Sequence, residues 1–230
     1  MPFYLLNCGC KLTKNQSIFM PIFQSINNRE NTQIFIWKIT EPEAFLRADI
    51  DLSQNSVNRL SIMSSELHRR GFLSIRHLLK HAGYRDLDLY YSEDGKPHLN
   101  DHKYISITHS FEFTAIIVSD VPIGIDIEKQ RDKIKRIASK FIGYEEEFIA
   151  SLEDPVKELT VVWGAKESMY KLYGHKGLGF KAHCLVEPFS MQSDQTLARI
   201  VFKDDHLNFD VFFKEVENFM LAYVIPSRNA

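Results

Sequence analysis

Between residues 104 and 109 every second position is apolar. Ile105 and Ile107 fall on one side of an extended chain, Ser106 and Thr108 on the other, which is the two-residue period of a half-buried strand. The same period returns at 123–128, where Ile123, Ile125 and Ile127 alternate with Gly124, Asp126 and Glu128. Residues 34–39 and 113–118 read as strands from their β-branched and aromatic content, and further strands are expected at 197–202, 208–214 and 219–225. Elsewhere the spacing is helical. Leu67, Phe72, Ile75, Leu78 and Leu79 predict a helix over 64–80, with Arg69, Arg70 and Arg76 between them. Val162, Ala165, Met169 and Leu172 form the buried stripe of a second helix over 158–173. Shorter helices are expected after Glu41-Pro42-Glu43, with proline at a tolerated early position, over a basic stretch at 131–141 and over an acidic one at 145–151. Asp94-Gly95 signals a tight turn between short strands at 89–91 and near Pro97, and Gly174, Gly177 and Gly179 break the chain after the second long helix.

Strand, helices and strands in each half predict an α+β fold. The expectation is two similar, pseudo-symmetric lobes, each a small antiparallel sheet packed with helices, over residues 20–113 and 114–230. No residue-level repeat or low-complexity linker separates them, so the lobes should meet through a packed interface. A second Met-Pro pair, Met20-Pro21, stands just before the first well-patterned segment, and residues 1–19 are read as an extension outside the fold.

Composition narrows the class. The chain is 230 residues long, 44% hydrophobic and 25% charged, as globular proteins are. A net charge of −2 gives no overall pull toward nucleic acid or membrane, so any basic site is local. Three cysteines, Cys8, Cys10 and Cys184, cannot build a disulfide framework, which fits a reducing compartment. No run reaches the ~20 apolar residues of a membrane span, and the opening residues do not read as a secretory signal. A cytoplasmic location is expected.

Chemistry enters with the polar positions of these elements. Asp126 and Glu128 project from one strand face about 7 Å apart, where two carboxylates repel unless a cation or water lies between them. A hard divalent ion such as magnesium suits those oxygens; a solvated strand edge is the plainer alternative. Trp163, Glu167 and Lys171, each four apart, share one helix face. Glu167 and Lys171 alone would be an ordinary surface pair worth ~0.3–0.5 kcal/mol, but a solvated face seldom needs the tryptophan. Lys96, between Gly95 and Pro97, is a cation on a stiff loop, and Ser106 to Ser110 ends a strand with hydroxyls and the His109 imidazole. Zinc is a poor fit: Cys8 and Cys10 lack a second ligand pair, and His98, His102 and His109 are badly spaced in a hairpin.

Taken in order, Gly95-Lys96-Pro97, Thr108-His109-Ser110, Gly124-Ile125-Asp126-Ile127-Glu128 and Trp163-x-x-Lys166-Glu167-x-x-x-Lys171 resemble the motifs of the 4′-phosphopantetheinyl transferase superfamily, in its larger two-lobed, monomeric type. Gly174-His175-Lys176-Gly177-Leu178-Gly179 is similar to the family's glycine-rich continuation. Thr108 stands where the family usually has serine, and keeps the hydroxyl. The resemblance extends from about residue 20 to the end. It implies a Mg²⁺-dependent enzyme that moves 4′-phosphopantetheine from coenzyme A to a serine of an apo acyl or peptidyl carrier protein, releasing 3′,5′-ADP. It assigns Asp126, Glu128 and Glu167 to the metal, and Glu167, Lys171 and Lys166 to catalysis, with Glu167 the candidate base. Coenzyme A would fall to Arg70 or Arg76, Lys96, Pro97, Thr108, His109, Ser110, Lys166 and Lys171. The basic run at 129–136 would face an acidic carrier; a merely solvated helix face is the alternative. A metal-dependent nuclease and a non-catalytic coenzyme A-binding relative are the rivals. Against the first stands the lack of a basic stripe for a polyanion, and against the second the presence of all three carboxylates.

Overall fold

The computed structural model describes residues 22–227; the expected extension over 1–19, with Cys8 and Cys10, lies outside them. The elements run β1 (Gln24–Arg29), β2 (Thr32–Lys38), α1 (Glu43–Ala48), α2 (Gln54–Ser61), α3 (Glu66–His81), β3 (Leu89–Tyr91), β4 (Pro97–Leu99), β5 (Tyr104–Ser110), β6 (Phe113–Ser119) and β7 (Gly124–Lys129). They continue through α4 (Lys133–Ile137), α5 (Glu146–Ala150), α6 (Val156–Tyr173), α7 (Phe180–His183), β8 (Cys184–Val186), β9 (Gln195–Phe202), β10 (Asp205–Val216) and β11 (Phe219–Pro226).

Two antiparallel sheets result, in the orders β1-β2-β6-β5 and β7-β11-β10-β9-β8, with β3-β4 a separate hairpin. Their inner strands are apolar on both faces, and the two-residue period sorts the side chains between layers. In β2 and β6, Phe35, Trp37, Ile116 and Val118 face α3, joining Leu73, Leu78 and Leu79. Ile34, Ile36, Ala115 and Ile117 face the other sheet and meet Ile123, just before β7, Ile125 and Ile127 of β7, and Leu221, Tyr223 and Ile225 of β11. Val224 turns the opposite way, toward Val162, Ala165 and Met169 of α6. The layers are therefore helix, sheet, sheet, helix. Thirteen buried residues lie in the inter-sheet cluster; at ~1.5–3 kcal/mol for each large apolar side chain, this contact fuses the two sheets into one body.

The long elements fall where the periodicity puts them, with three differences. The strand β1 is too polar, Gln24 to Arg29, to carry a strand pattern, and forms by antiparallel pairing with β2. The expected basic helix over 131–141 is a short α4 followed by a 3₁₀ turn at Ala138–Lys140. The expected division between residues 113 and 114 falls inside the first sheet, because β6 pairs with both β2 and β5; the chain changes sheets at 120–123. Among the described residues no helix is long and apolar enough to cross a membrane.

Candidate active site

The site begins with two glycines. A Cβ at Gly124 would stand 1.9 Å from the Ser168 carbonyl oxygen, so only glycine lets α6 lie this close to β7. Gly164, on α6, would bring a Cβ within 3.0 Å of Ala222 Cβ and 3.8 Å of Asp126 Oδ2. Ser168 Oγ fastens the contact by donating to the Ala222 carbonyl at 3.1 Å. Because Ile125 and Ile127 occupy the inter-sheet face of β7, Asp126 and Glu128 must face the other way, toward α6. Glu167 and Lys171 come from that helix.

Hydroxyls on β5 complete the framework. β5 and β7 are edge strands of different sheets, and β5 side chains take up amides on the open edge of β7. Ile125 N–H donates to Ser106 Oγ (3.2 Å) and Ile127 N–H to Thr108 Oγ1 (3.1 Å). Thr108 in turn donates to Asp126 Oδ1 (3.0 Å), and Ser110 to Glu128 Oε2 (3.1 Å). Lys171 Nζ donates to Asp126 Oδ1 (2.8 Å) and to the Ile125 carbonyl (2.9 Å). Asp126 Oδ2 is buried with no hydrogen-bond partner, a costly condition for a carboxylate oxygen.

The acids also act on one another. Burial, then the neighbouring Asp126 and Glu128, push the Glu167 carboxyl up to about 7, against the opposing pull of Lys171. Burial and Asp126 raise Glu128 as well, although Ser110, Trp163 and Lys171 favour its charged form. Three carboxylates beside one ammonium leave a site short of positive charge. Among the described residues no three His, Cys, Asp or Glu side chains stand in an arrangement that could hold a metal; instead Lys171 sits on Asp126 Oδ1. The donor set nonetheless fits a hard divalent cation: oxygen throughout, mutually repelling, and with Asp126 Oδ2 unpartnered.

Lys171 connects the acids to a cavity of about 420 Å³. Gly95, Lys96 and Pro97 line it from the β3–β4 hairpin, Ser106 from β5, and Tyr170, Lys171 and Lys176 from α6 and the loop after it. Lys96 Nζ crosses to the Leu172 carbonyl near the end of α6 (2.8 Å), and burial lowers its pKa. His109 packs edge-on to His68 (6.1 Å between centroids). Burial, then His68 and Lys171, hold its pKa below the usual histidine range.

Two residues expected at the ligand are engaged elsewhere in the fold. Lys166 points away from the cavity, fully buried against Glu145, with Nζ 2.8 Å from both carboxylate oxygens and 2.7 Å from the Phe141 carbonyl. On a helix the residue next to Glu167 turns by about 100°, which sends Lys166 into the core. Arg76 is likewise locked: its Nε is 2.9 Å from Asp86 Oδ1, both side chains are at most 2% exposed, and its guanidinium lies 3.4 Å from the Phe72 ring centroid. Arg70 remains part-buried, holding the carbonyls of Glu41 (2.8 Å) and Ile39 (3.3 Å). Trp163, whose side chain hydrogen-bonds Glu128, is wedged between the Phe141 and Phe180 rings at 5.1 and 5.5 Å. Within the basic run, Lys135 is engaged by Asp132 and Asp154, while Lys129 and Arg131 lie over the exposed ring of Phe111 at 5.1 and 4.9 Å.

Asp94, Ser106 and Lys176 also line the cavity; the sequence placed them in a turn, a strand end and the glycine-rich run without assigning them to the ligand. The signal for Lys176 was its place in the glycine-rich run after α6.

A model of a known protein family matches the same segment. Residues 122–224, which hold β7 and α6, match the model of the 4'-phosphopantetheinyl transferase superfamily. Over 118 residues the chain is 29% identical to "4'-phosphopantetheinyl transferase gsp" of Aneurinibacillus migulanus, a match that covers 50% of this chain and 47% of that protein. It thus spans about half the length of the curated relative.

Proposed function

We propose that this chain, whose residues 122–224 match the model of the 4′-phosphopantetheinyl transferase superfamily, belongs to that family and transfers the 4′-phosphopantetheine arm of coenzyme A to a serine of an apo acyl or peptidyl carrier protein, with Mg²⁺ as cofactor, releasing 3′,5′-ADP. It acts as a cytoplasmic monomer in this reading. The observation that carries the proposal is the cluster of Asp126, Glu128 and Glu167, short of positive charge and joined through Lys171 to a lysine-lined cavity.

Asp126, Glu128 and Glu167 would hold the ion, which when bound supplies Lewis-acid polarisation of a diphosphate. The remaining work belongs to the chain. Lys96 and Lys171 bind phosphate oxygens from opposite sides of the cavity, and His109 of β5 and Arg70 of α3 assist. Thr108 and Ser110 hold the Asp126 and Glu128 carboxylates at fixed orientations. Glu167, ionised near neutral pH, takes the proton of the carrier serine as its Oγ bonds to phosphorus. The bond from that phosphorus to the bridging oxygen breaks, and Lys171 stabilises the charge on the departing phosphate. Arg131 and Lys129, over Phe111, offer the carrier an apolar and basic lip beside Glu128.

Intact-protein mass spectrometry of apo-carriers incubated with the enzyme and coenzyme A is the test. A mass gain of one phosphopantetheine, lost on adding a chelator and restored by Mg²⁺, is the expected outcome. Unmodified carriers across acyl and peptidyl types would overturn the proposal.

A further inference from the structure

The cavity holds three lysines, Lys96, Lys171 and Lys176, and each is parked on an oxygen of the protein itself. Lys96 rests on the Leu172 carbonyl and Lys171 on Asp126. Like Lys96, Lys176 reaches the opposite wall, but its partner there is an exposed carboxylate. Its Nζ lies 2.5 Å from Asp94 Oδ1, with the two side chains 81% and 64% exposed. Asp94 sits at the tip of the β3–β4 hairpin, beside Gly95 at φ +81, and the turn is closed by Gly95 N–H to the Ser92 carbonyl (2.9 Å). The ion pair therefore spans the mouth between the hairpin and the loop after α6.

Both walls are anchored, so the pair can exchange without moving either backbone. On the loop side Gly174 caps α6 at φ +75, its N–H on the Tyr170 carbonyl, and Leu178 is buried. His175 Nδ1 accepts from Gly177 N–H (3.0 Å) and His183 Nδ1 from Gly179 N–H (2.8 Å), with both imidazoles against Phe202. Lys176 is the exposed side chain of a pinned segment. An exposed ion pair is a weak one, and a phosphate oxygen is the stronger partner for an ammonium. Asp94 itself repels any anion that enters.

We propose that Asp94 and Lys176 form an exchangeable latch over the cavity, in which a diphosphate ligand displaces Asp94 and takes Lys176 as a further phosphate contact. The latch rests on the proposed diphosphate substrate. It selects for ligands whose anionic group can outcompete a carboxylate, and it keeps the empty mouth closed to neutral ones.

Titration calorimetry of the full chain with coenzyme A, and separately with inorganic pyrophosphate, tests it. Asp94→Asn releases Lys176 and removes the repulsion, so both probes should bind about two- to fivefold tighter. Lys176→Met removes the contact and should weaken both about five- to tenfold. The double variant should bind more weakly than Asp94→Asn, because no Lys176 is left to release, and should recover over Lys176→Met only what the loss of the Asp94 repulsion returns. Both residues are exposed, and equal thermal midpoints would confirm that folding is untouched. Weaker binding by Asp94→Asn, or unchanged binding of both probes in every variant, would overturn the latch whether or not carriers are modified. Pyrophosphate binding in the expected order without coenzyme A binding would keep the latch and overturn the substrate instead.

Discussion

Glu167 is held where an ionised carboxylate is expensive, and this cost can be measured. Its pKa is about 7 in the fold against 4.5 for the ordinary side chain, so the folded protein binds more protons than the unfolded chain between those values. Stability of the cation-free protein must then fall as pH rises through that window and be fully recovered below it. Glu167→Gln removes the penalty. Thermal melts without divalent ions should show the variant more stable than the parent at pH 8, with the gap closing toward pH 4.5. The same substitution should cost at least ~3 kcal/mol of transition-state stabilisation in carrier modification. A variant that melts higher and turns over normally would remove Glu167 from the chemistry. Lys166 behaves in the opposite way. Lys166→Met leaves Glu145 charged and unpaired in the core, so denaturant midpoints should report a loss of about 3–5 kcal/mol. A stable but inactive Lys166→Met protein would return this lysine to catalysis.

At the scale of elements, the contact between α6 and β7 is the critical one, and it depends on a missing side chain. Gly124→Ala drives a methyl group into the Ser168 backbone, and a backbone neighbour cannot rotate aside. The helix must shift, at a cost of about 1–3 kcal/mol, and carries Glu167 and Lys171 with it. Circular dichroism should find the variant folded with a lower melting point, while turnover falls further than the melting point explains. Unimpaired turnover would mean that the spacing of helix and strand is looser than the contacts indicate. The legible elements were those with a strong period of their own: β5, β7, α3 and α6 stand within two residues of where their apolar positions put them. The strands β1 and β8 had no such period and exist because a neighbour supplies their hydrogen bonds.

For the whole molecule, the lip proposed to receive a carrier centres on Phe111. Phe111 adopts φ +50 and is 41% exposed, with Arg131 and Lys129 above it. Arg131→Glu should raise KM for an acidic carrier about three- to tenfold and leave KM for coenzyme A unchanged. Lys135→Glu should do less, since Asp132 and Asp154 already engage that lysine. Steady-state kinetics with each substrate varied in turn would separate the two; equal effects on both KM values would argue against a docking lip.

Sequence by itself determined which residue types lie on which face. Alternation sent Asp126 and Glu128 to the face opposite three isoleucines, and four-residue spacing aligned Trp163, Glu167 and Lys171. Such local periods follow from backbone geometry and need no knowledge of neighbours. Tertiary structure alone decided which charged groups face the cavity and which meet each other. Lys166 and Arg76 carry the same charge and the same motif context as Lys171 and Arg70, yet a buried carboxylate waits for each of them across the core. Those partners are 21 and 10 residues away, beyond the reach of any periodic pattern. The packing of distant segments fixes them.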